Sequence, residues 1–294
     1  MKHAYLIITH RENVVLERLL MLLDKENNGI YIHVDAKTKN FDFEKIKKTV
    51  KLAKLVFTNR TKVYWGDYSQ VNAELVLLKT AIGGGRYDYY HLLSGQDLPI
   101  KNNSAINAFF EQNNGKEFVS IVNDRKPVVR TASGGVFSPY SRLSLFHYGV
   151  KWWRKNKILK GMEYVSLLLQ KELRIDRISK LKEPIYYGAN WFSITDLCAR
   201  YVVSQEQYII ELFSRHTRCA DELFLQTVLM NSIFQDRVTG DNLRYVDFKR
   251  GKPYVWRELD KDELLSAQGL FARKFDDQVD SLIIEDIYAA VKEK

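Results

Sequence analysis

Over its first 94 residues the chain alternates short apolar runs with stretches of helical periodicity, and that alternation leaves few folds open. Residues 4–9 (AYLIIT), 29–34 (GIYIHV), 54–58 (KLVFT) and 87–94 (YDYYHLLS) each read as a buried strand. Between them, 14–24 (VVLERLLMLLD), 42–51 and 70–82 read as helices. In 14–24 the apolar residues share one helical face and Glu17 and Arg18 fall off it. Strand–helix alternation predicts an α/β fold, a Rossmann-like and mostly parallel sheet flanked by helices. Ligands of such sheets bind outside the carboxyl ends of the strands. Asp35 follows one of these strands, and Asp97 lies in the turn Gly95-Gln96-Asp97 after another.

Past residue 120 the pattern loosens. Residues 118–122 (FVSIV) and 191–195 (WFSIT) read as strands; 196–214, 220–232 and 278–292 read as helices. The intervening stretch 124–186 is polar, basic and less regular, with a long helix expected near 157–174. It reads as a helical or irregular insertion within one domain spanning 1–294, because no repeat and no Gly/Ser-rich linker interrupts the chain.

Lys and Arg number 45 against 36 Asp and Glu, a formal charge of +9 that suits an anionic partner. Nucleic acid, a phosphorylated substrate and a membrane face all qualify. A basic nucleic-acid-binding protein is the alternative reading, although no helix-turn-helix, zinc or RNA-recognition motif is visible. The run Tyr148–Gly161 (YGVKWWRKNKILKG) mixes Trp152 and Trp153 with Lys151, Arg154, Lys155, Lys157 and Lys160. That mixture suits peripheral contact with an anionic membrane, and equally a basic surface helix with two half-buried tryptophans. Cys198 and Cys219 match no disulfide framework or metal spacing, which points to a reducing compartment. The first apolar run is too short for a signal peptide or a spanning helix. A cytoplasmic protein is expected, peripheral to the inner face of the membrane where the basic run makes contact.

Seven runs, taken in order, resemble one family. They are IHVDAK (32–37), WGDYSQVNAELVLLK (65–79), YYHLLSGQDLPIK (89–101), GANWFSIT (188–195), ADELFLQTVLMNS (220–232), DNLRYVDF (241–248) and LFARKFD (270–276). Together they resemble the core-2/I-branching glycosyltransferases (family 14), which include the peptide O-xylosyltransferases. The last three are closest to the xylosyltransferase branch. The resemblance implies a GT-A-like fold, with 1–123 as the nucleotide-sugar-binding half and 187–294 as the acceptor and catalytic half. It implies an inverting transferase that takes a UDP-sugar, xylose or N-acetylglucosamine being the expected sugars. The acceptor would be a hydroxyl of a saccharide, glycolipid or peptide, and no metal cofactor would be needed.

Transfer to an alcohol needs a base for the hydroxyl proton, charge to quiet the departing diphosphate, and a pocket for the nucleoside. Glu222 is the candidate base: the segment Ala220-Asp221-Glu222 opens an expected helix, where a carboxylate stays ionised more easily. From the residues alone it reads first as a helix-terminal charge, and Asp221 could equally be the cap; it is the resemblance that implies the family's catalytic role for Glu222. Arg273 and Lys274 in FARKF, with Arg257 upstream, are the candidate cations for the diphosphate. Asp35 is the candidate partner of uracil or ribose. Asp97 is a candidate to orient the donor sugar or its loop. Trp191 offers a face for a sugar ring, and also for core packing. Trp65 reads as a packing residue. The one Asp-x-Asp, at Asp260-Lys261-Asp262, precedes a helical run and reads as a cap rather than a metal site. A degenerate, non-catalytic sugar-binding module is the remaining alternative.

Overall fold

The computed structural model describes residues 1–122, 129–130, 136–151, 156–251 and 253–293. Its elements run β1 (His3–Thr9), α1 (Val14–Leu23), β2 (Asn28–Val34), α2 (Phe43–Thr49), β3 (Lys54–Phe57), α3 (Ser69–Gly84), β4 (Tyr89–Ser94), β5 (Asp97–Pro99), α4 (Asn103–Gln112) and β6 (Glu117–Ser120). The middle holds β7 (Val129–Arg130), β8 (Val136–Phe137), α5 (Ser141–Ser144) and α6 (Lys157–Glu172). Then follow β9 (Phe192–Thr195), α7 (Asp196–Ser204), α8 (Glu206–Phe213), α9 (Phe224–Met230), β10 (Val238–Gly240), β11 (Arg244–Val246), α10 (Lys261–Ser266), β12 (Phe271–Arg273) and α11 (Leu282–Val291).

The main sheet has seven strands in the order β10-β6-β9-β4-β1-β2-β3. β1 pairs in parallel with both β2 and β4, β2 in parallel with β3, and β9 runs antiparallel between β4 and β6. The α/β expectation, a mostly parallel sheet flanked by helices, is met. The strands at the centre are buried on both faces, so they read as continuous apolar runs rather than alternating ones. One core packs α1, α4 and α11 against the sheet through Leu16, Leu20, Phe110 and Ile287. The other packs α3, α7 and α9 against it through Leu75, Leu78, Val202 and Leu225.

Local chemistry starts the helices where the chain leaves the sheet. Asn13, Asn102 and Thr195 each accept a backbone N–H from the first turn of α1, α4 and α7. The chain direction switches at β1: β2 and β3 lie to one side and β4 to the other. There Gly95 packs so tightly that a Cβ would fall 2.5 Å from the Thr9 hydroxyl. A switch point of this kind is where a crevice forms beyond the strand ends.

Three expectations need correction. Residues 196–214 are two helices, broken at Gln205, rather than one. The expected helix 220–232 begins only at Phe224; Ala220–Glu222 form a 3₁₀ turn entered through Cys219 in the left-handed region (φ 49°). Asp97 does not end β4 but opens β5, which belongs to a second sheet of order β11-β12-β5. The strands of that sheet are only three residues long, too short to show a period in sequence. Of the basic run 148–161, residues 152–155 lie outside the described residues, so Trp152, Trp153, Arg154 and Lys155 are not placed. No helix among the described residues is long and apolar enough to cross a membrane.

Candidate active site

A cleft opens where the Rossmann-like topology puts it, at the carboxyl ends of β1, β2 and β4. One part, about 340 Å³, is lined by Thr9, His10 and Arg11 beyond β1 and by Ser94, Gly95 and Gln96 beyond β4. Facing them are Trp191, Asp221, Glu222 and Arg273. A second part, about 630 Å³, continues along β1 to Asp35, Lys37 and Thr38 at the end of β2. The two share Ile8, Thr9, His10, Val63, Trp65 and Gln70, so they form one continuous cleft. Volumes of this size suit a small-molecule ligand. Glu222, Arg273, Trp191 and Asp35, four of the residues singled out in the sequence, line it together.

Glu222 is half-buried in its 3₁₀ turn. Its Oε2 pairs with the guanidinium of Arg142, a residue of α5 in the inserted stretch. Tyr187 lies near the same carboxylate: burial, and after it the Glu222 charge, push that phenol up to about 12. The backbone closes around the same residue. Gly188 N–H donates to the Glu222 carbonyl at 3.1 Å, and a Cβ on Gly188 would collide with the Ser120 carbonyl at 1.8 Å. Only glycine fits between that strand end and the turn. Cys219 N–H donates to the Gly66 carbonyl at 2.7 Å, which ties the turn to the loop carrying Trp65.

Behind Glu222 stand two further acids that sequence reasoning missed. Glu74, on the buried face of α3, is fully buried, and neither carboxylate oxygen has a hydrogen-bond partner among the described residues. Burial, and then the Asp221 charge, raise its pKa well above the ordinary range. Asp221 accepts from Gln70 Nε2 at 3.2 Å through Oδ2, while Oδ1 lacks a partner among the described residues. Its pKa is also raised, by burial first and then by Glu222, with Arg142 opposing. A buried carboxyl without a donor favours its protonated form. Glu74 was legible in one respect: Val71, Glu74 and Leu78 share the inward stripe of α3, where a carboxylate is out of place.

The opposite wall is cationic. Arg273 Nη1 donates to Asp97 Oδ1 at 2.8 Å, and its guanidinium lies 4.8 Å from the centre of the Trp191 ring. Arg11 pairs with Asp276 at 2.8 Å. Burial, and then the charges of Arg273 and Arg11, lower the pKa of Lys274, with Asp276 opposing. His10 sits in the same crowd: partial burial, then Arg11, hold it below the ordinary imidazole range, with Lys274 and Lys37 adding to the effect and Asp35 opposing. Arg11 and Arg273 line the same part of the cleft, and the charges of both act on Lys274.

Lys274 is half-buried next to Arg273 and acts on His10, but it is not among the residues lining either part of the cleft. Two further expected site residues fall elsewhere. Asp97 is 1% exposed, with Oδ2 accepting Ser94 N–H at 2.6 Å and Oδ1 accepting Arg273. Both oxygens serve the scaffold beneath the cleft, so Asp97 aims Arg273 instead of meeting a ligand. Arg257 is exposed, absent from the described lining, and turned toward Asp280 and Tyr254, on which its charge acts. The turn that carries it is set by Asp260, whose carboxylate accepts Arg257 N–H at 2.8 Å and pairs with Arg250 at 2.7 Å. Asp260 is therefore a capping residue. Among the described residues no group of three or more His, Cys, Asp or Glu is arranged to hold a metal ion.

Asp35 lines the far part of the cleft. Its Oδ1 accepts Lys37 N–H at 2.9 Å and Val63 N–H at 3.3 Å, and its Oδ2 lies 3.2 Å from Lys37 Nζ. Trp65, read as a packing residue, is 52% exposed on the cleft wall.

Residues 3–264 match the model of the Core-2/I-Branching enzyme family. Among curated proteins the chain is similar to xylosyltransferase 2 of Rattus norvegicus, at 24% identity over 319 residues. The match covers 96% of this chain and 33% of the relative, so the chain spans a third of that protein's length. It is also similar to the Homo sapiens beta-1,3-galactosyl-O-glycosyl-glycoprotein beta-1,6-N-acetylglucosaminyltransferase, at 22% identity over 316 residues, 96% of this chain and 68% of the relative. Among solved structures, the apo form of mouse xyloside xylosyltransferase 1 aligns over 92% of this chain and 96% of its own, with a TM-score of 0.40 and 11% identity.

Proposed function

The chain belongs to the Core-2/I-branching enzyme family, and we propose that it is an inverting glycosyltransferase that moves a sugar from a UDP-sugar to a hydroxyl of a saccharide or peptide acceptor. One observation carries this reading: Glu222 and Arg273 face the same cleft at the strand carboxyl ends, with acids gathered on one side and cations on the other.

Glu222 takes the proton of the acceptor hydroxyl. The pair with Arg142 uses Oε2 and holds the carboxylate at the cleft lining, where it can meet the hydroxyl. The acceptor oxygen attacks the anomeric carbon from the face opposite the diphosphate. The bond to the β-phosphate oxygen breaks, UDP leaves, and the configuration at carbon inverts. Arg273, Lys274 and Arg11 take up the charge that develops on the diphosphate, as a divalent cation does in other enzymes. Asp35, at the far end, receives the nucleoside. Trp191 and Trp65 offer their faces to sugar rings. Xylose and N-acetylglucosamine are the sugars we propose for the donor, on the strength of the relatives' names.

A thermal-shift screen against UDP-xylose, UDP-N-acetylglucosamine, UDP-glucose and UDP-galactose, with and without EDTA, tests the donor. Transfer assays follow on whichever sugars bind. A stabilising shift and turnover that persist in EDTA are expected. A strict manganese requirement would remove the role given to the cations, and no response to any nucleotide sugar would remove the reading itself.

A further inference from the structure

The helix α6 is turned inside out for a surface helix. The side it lays on the protein is polar: Glu163 accepts Tyr148 N–H at 2.9 Å and pairs with His147 at 3.0 Å, and Gln170 bonds both N–H and C=O of Phe146 at 2.7 and 2.9 Å. The side it turns outward is apolar. Ile158, Met162, Val165 and Leu169 follow helical spacing, and with Leu173 just beyond the helix each is more than half exposed. Surface helices ordinarily bury such a stripe, and an exposed one marks a surface that another body covers.

We propose that this face of α6 docks on an anionic phospholipid surface. Exposed Tyr164 and Leu168 widen the apolar sector on one side. Lys157, Lys160 and Lys171 lie along that edge, with Arg174 just beyond the helix and Glu172 beside the stripe. A cationic edge on an apolar face suits a helix lying in the lipid headgroup plane. The chain carries a formal +9, so a second copy would bring like charges together at this face, whereas anionic headgroups complement it. The apolar surface also continues inward. Tyr164, Leu167 and Leu168 wall a cavity of about 420 Å³ that reaches Trp65 and Arg142, the partner of Glu222. A bilayer at α6 therefore lies beside the cleft. That this brings the enzyme to a lipid-borne acceptor rests on the transferase reading; the docking itself does not.

Co-sedimentation of the full chain with vesicles tests it, using phosphatidylcholine alone and equal parts phosphatidylcholine and phosphatidylglycerol. The wild type partitions to the anionic vesicles. The triple variant Ile158→Ser/Val165→Ser/Leu169→Ser changes only exposed side chains, so circular dichroism stays unchanged while partitioning falls roughly tenfold. Lys157→Glu/Lys160→Glu falls likewise, and Ile233→Ser, another exposed residue outside α6, does not. A wild type that stays in the supernatant, or a triple variant that sediments like wild type, overturns the proposal. So does a wild-type dimer in light scattering that the triple variant dissolves without any vesicle binding, which assigns the face to a second copy. The UDP-induced thermal shift, measured in parallel, separates failure of docking from failure of the transferase reading.

Discussion

At the strand-end wall of the cleft cations outnumber acids; at the wall built by α3 and the turn before α9, acids outnumber cations. The carboxylates of the first wall are spent. Asp97 and Asp35 have both oxygens occupied by backbone N–H groups, Arg273 and Lys37. The acids of the second wall are not: Glu74 and Asp221 lack partners for buried oxygens among the described residues, and Arg142, paired with Glu222, also acts on Asp221. A fully bonded carboxylate builds structure and has no proton chemistry left. A buried, undersupplied set has a raised proton affinity, and such perturbed groups gather where protons move. The contrast supports the proposal that leaving-group charge is met at one wall and the proton at the other.

The largest test strikes the cationic wall. Arg273→Gln leaves Asp97 buried with Ser94 as its remaining partner, and removing one member of such a pair costs about 3–5 kcal/mol. Urea unfolding should register that loss, and Asp97→Asn in the same background should recover part of it. A stable Arg273→Gln protein would mean that Asp97 is not held by this pair.

Acid should act on the core behind this wall. A buried chain runs His3–His91–Ser193–Arg244, with contacts of 2.9, 2.8 and 2.7 Å. Burial lowers His3 from 6.5 to about 4 and His91 well below its usual range. The unfolded chain therefore takes up protons that the folded chain refuses, so stability falls as pH drops from 6.5 toward 4. His3 alone accounts for about 3 kcal/mol across that window. Glu74 has the opposite sign: with its folded pKa raised, its contribution is present below about 4.5 and lost as pH rises. Unfolding free energies at pH 4, 5.5 and 7 should fall toward acid, less steeply in His3→Asn, while Glu74→Gln should gain on wild type as pH increases. Parallel pH responses of the two variants would erase the distinction between the walls.

A smaller effect sits on the acid wall. Arg142→Gln removes the side chain that pairs with Glu222 and holds it at the cleft. Transfer should fall about tenfold while UDP affinity stays unchanged, measured by steady-state kinetics and calorimetry. Transfer at the wild-type rate would show that the pair does not position Glu222. Smallest of all, Asp35→Asn should weaken UDP affinity by about 1 kcal/mol with kcat little changed, measured by titration calorimetry.

How much of this was legible in the sequence follows from the range of each interaction. The strands β1 to β4 and helices α1 and α3 announce themselves, because continuous apolar runs and one-sided stripes are local. Glu222, Asp35, Arg273 and Trp191 were found through family-like runs, and the cleft they share was expected from the strand ends. Asp97 was left open between the donor sugar and its loop; it holds the loop through Ser94, and nothing near it in sequence reveals Arg273, which reaches it across 176 residues. Arg257 misled because its direction is set by the capping of Asp260, a detail of one turn. Arg142 and Glu74 went unread: one meets Glu222 across 80 residues, and the other looked like an ordinary helix carboxylate until its burial was known. Trp65 was assigned to packing, since sequence does not tell which face of a loop meets solvent.

The division of labour between the walls turns on Glu222, and Glu222→Gln tests it most directly, since the amide keeps size and hydrogen bonding but cannot take the proton. Turnover of the variant and its affinity for UDP should be measured side by side. The account predicts a loss of about 10²–10⁴-fold in kcat with UDP affinity unchanged. A variant that transfers sugar at close to the wild-type rate would contradict it.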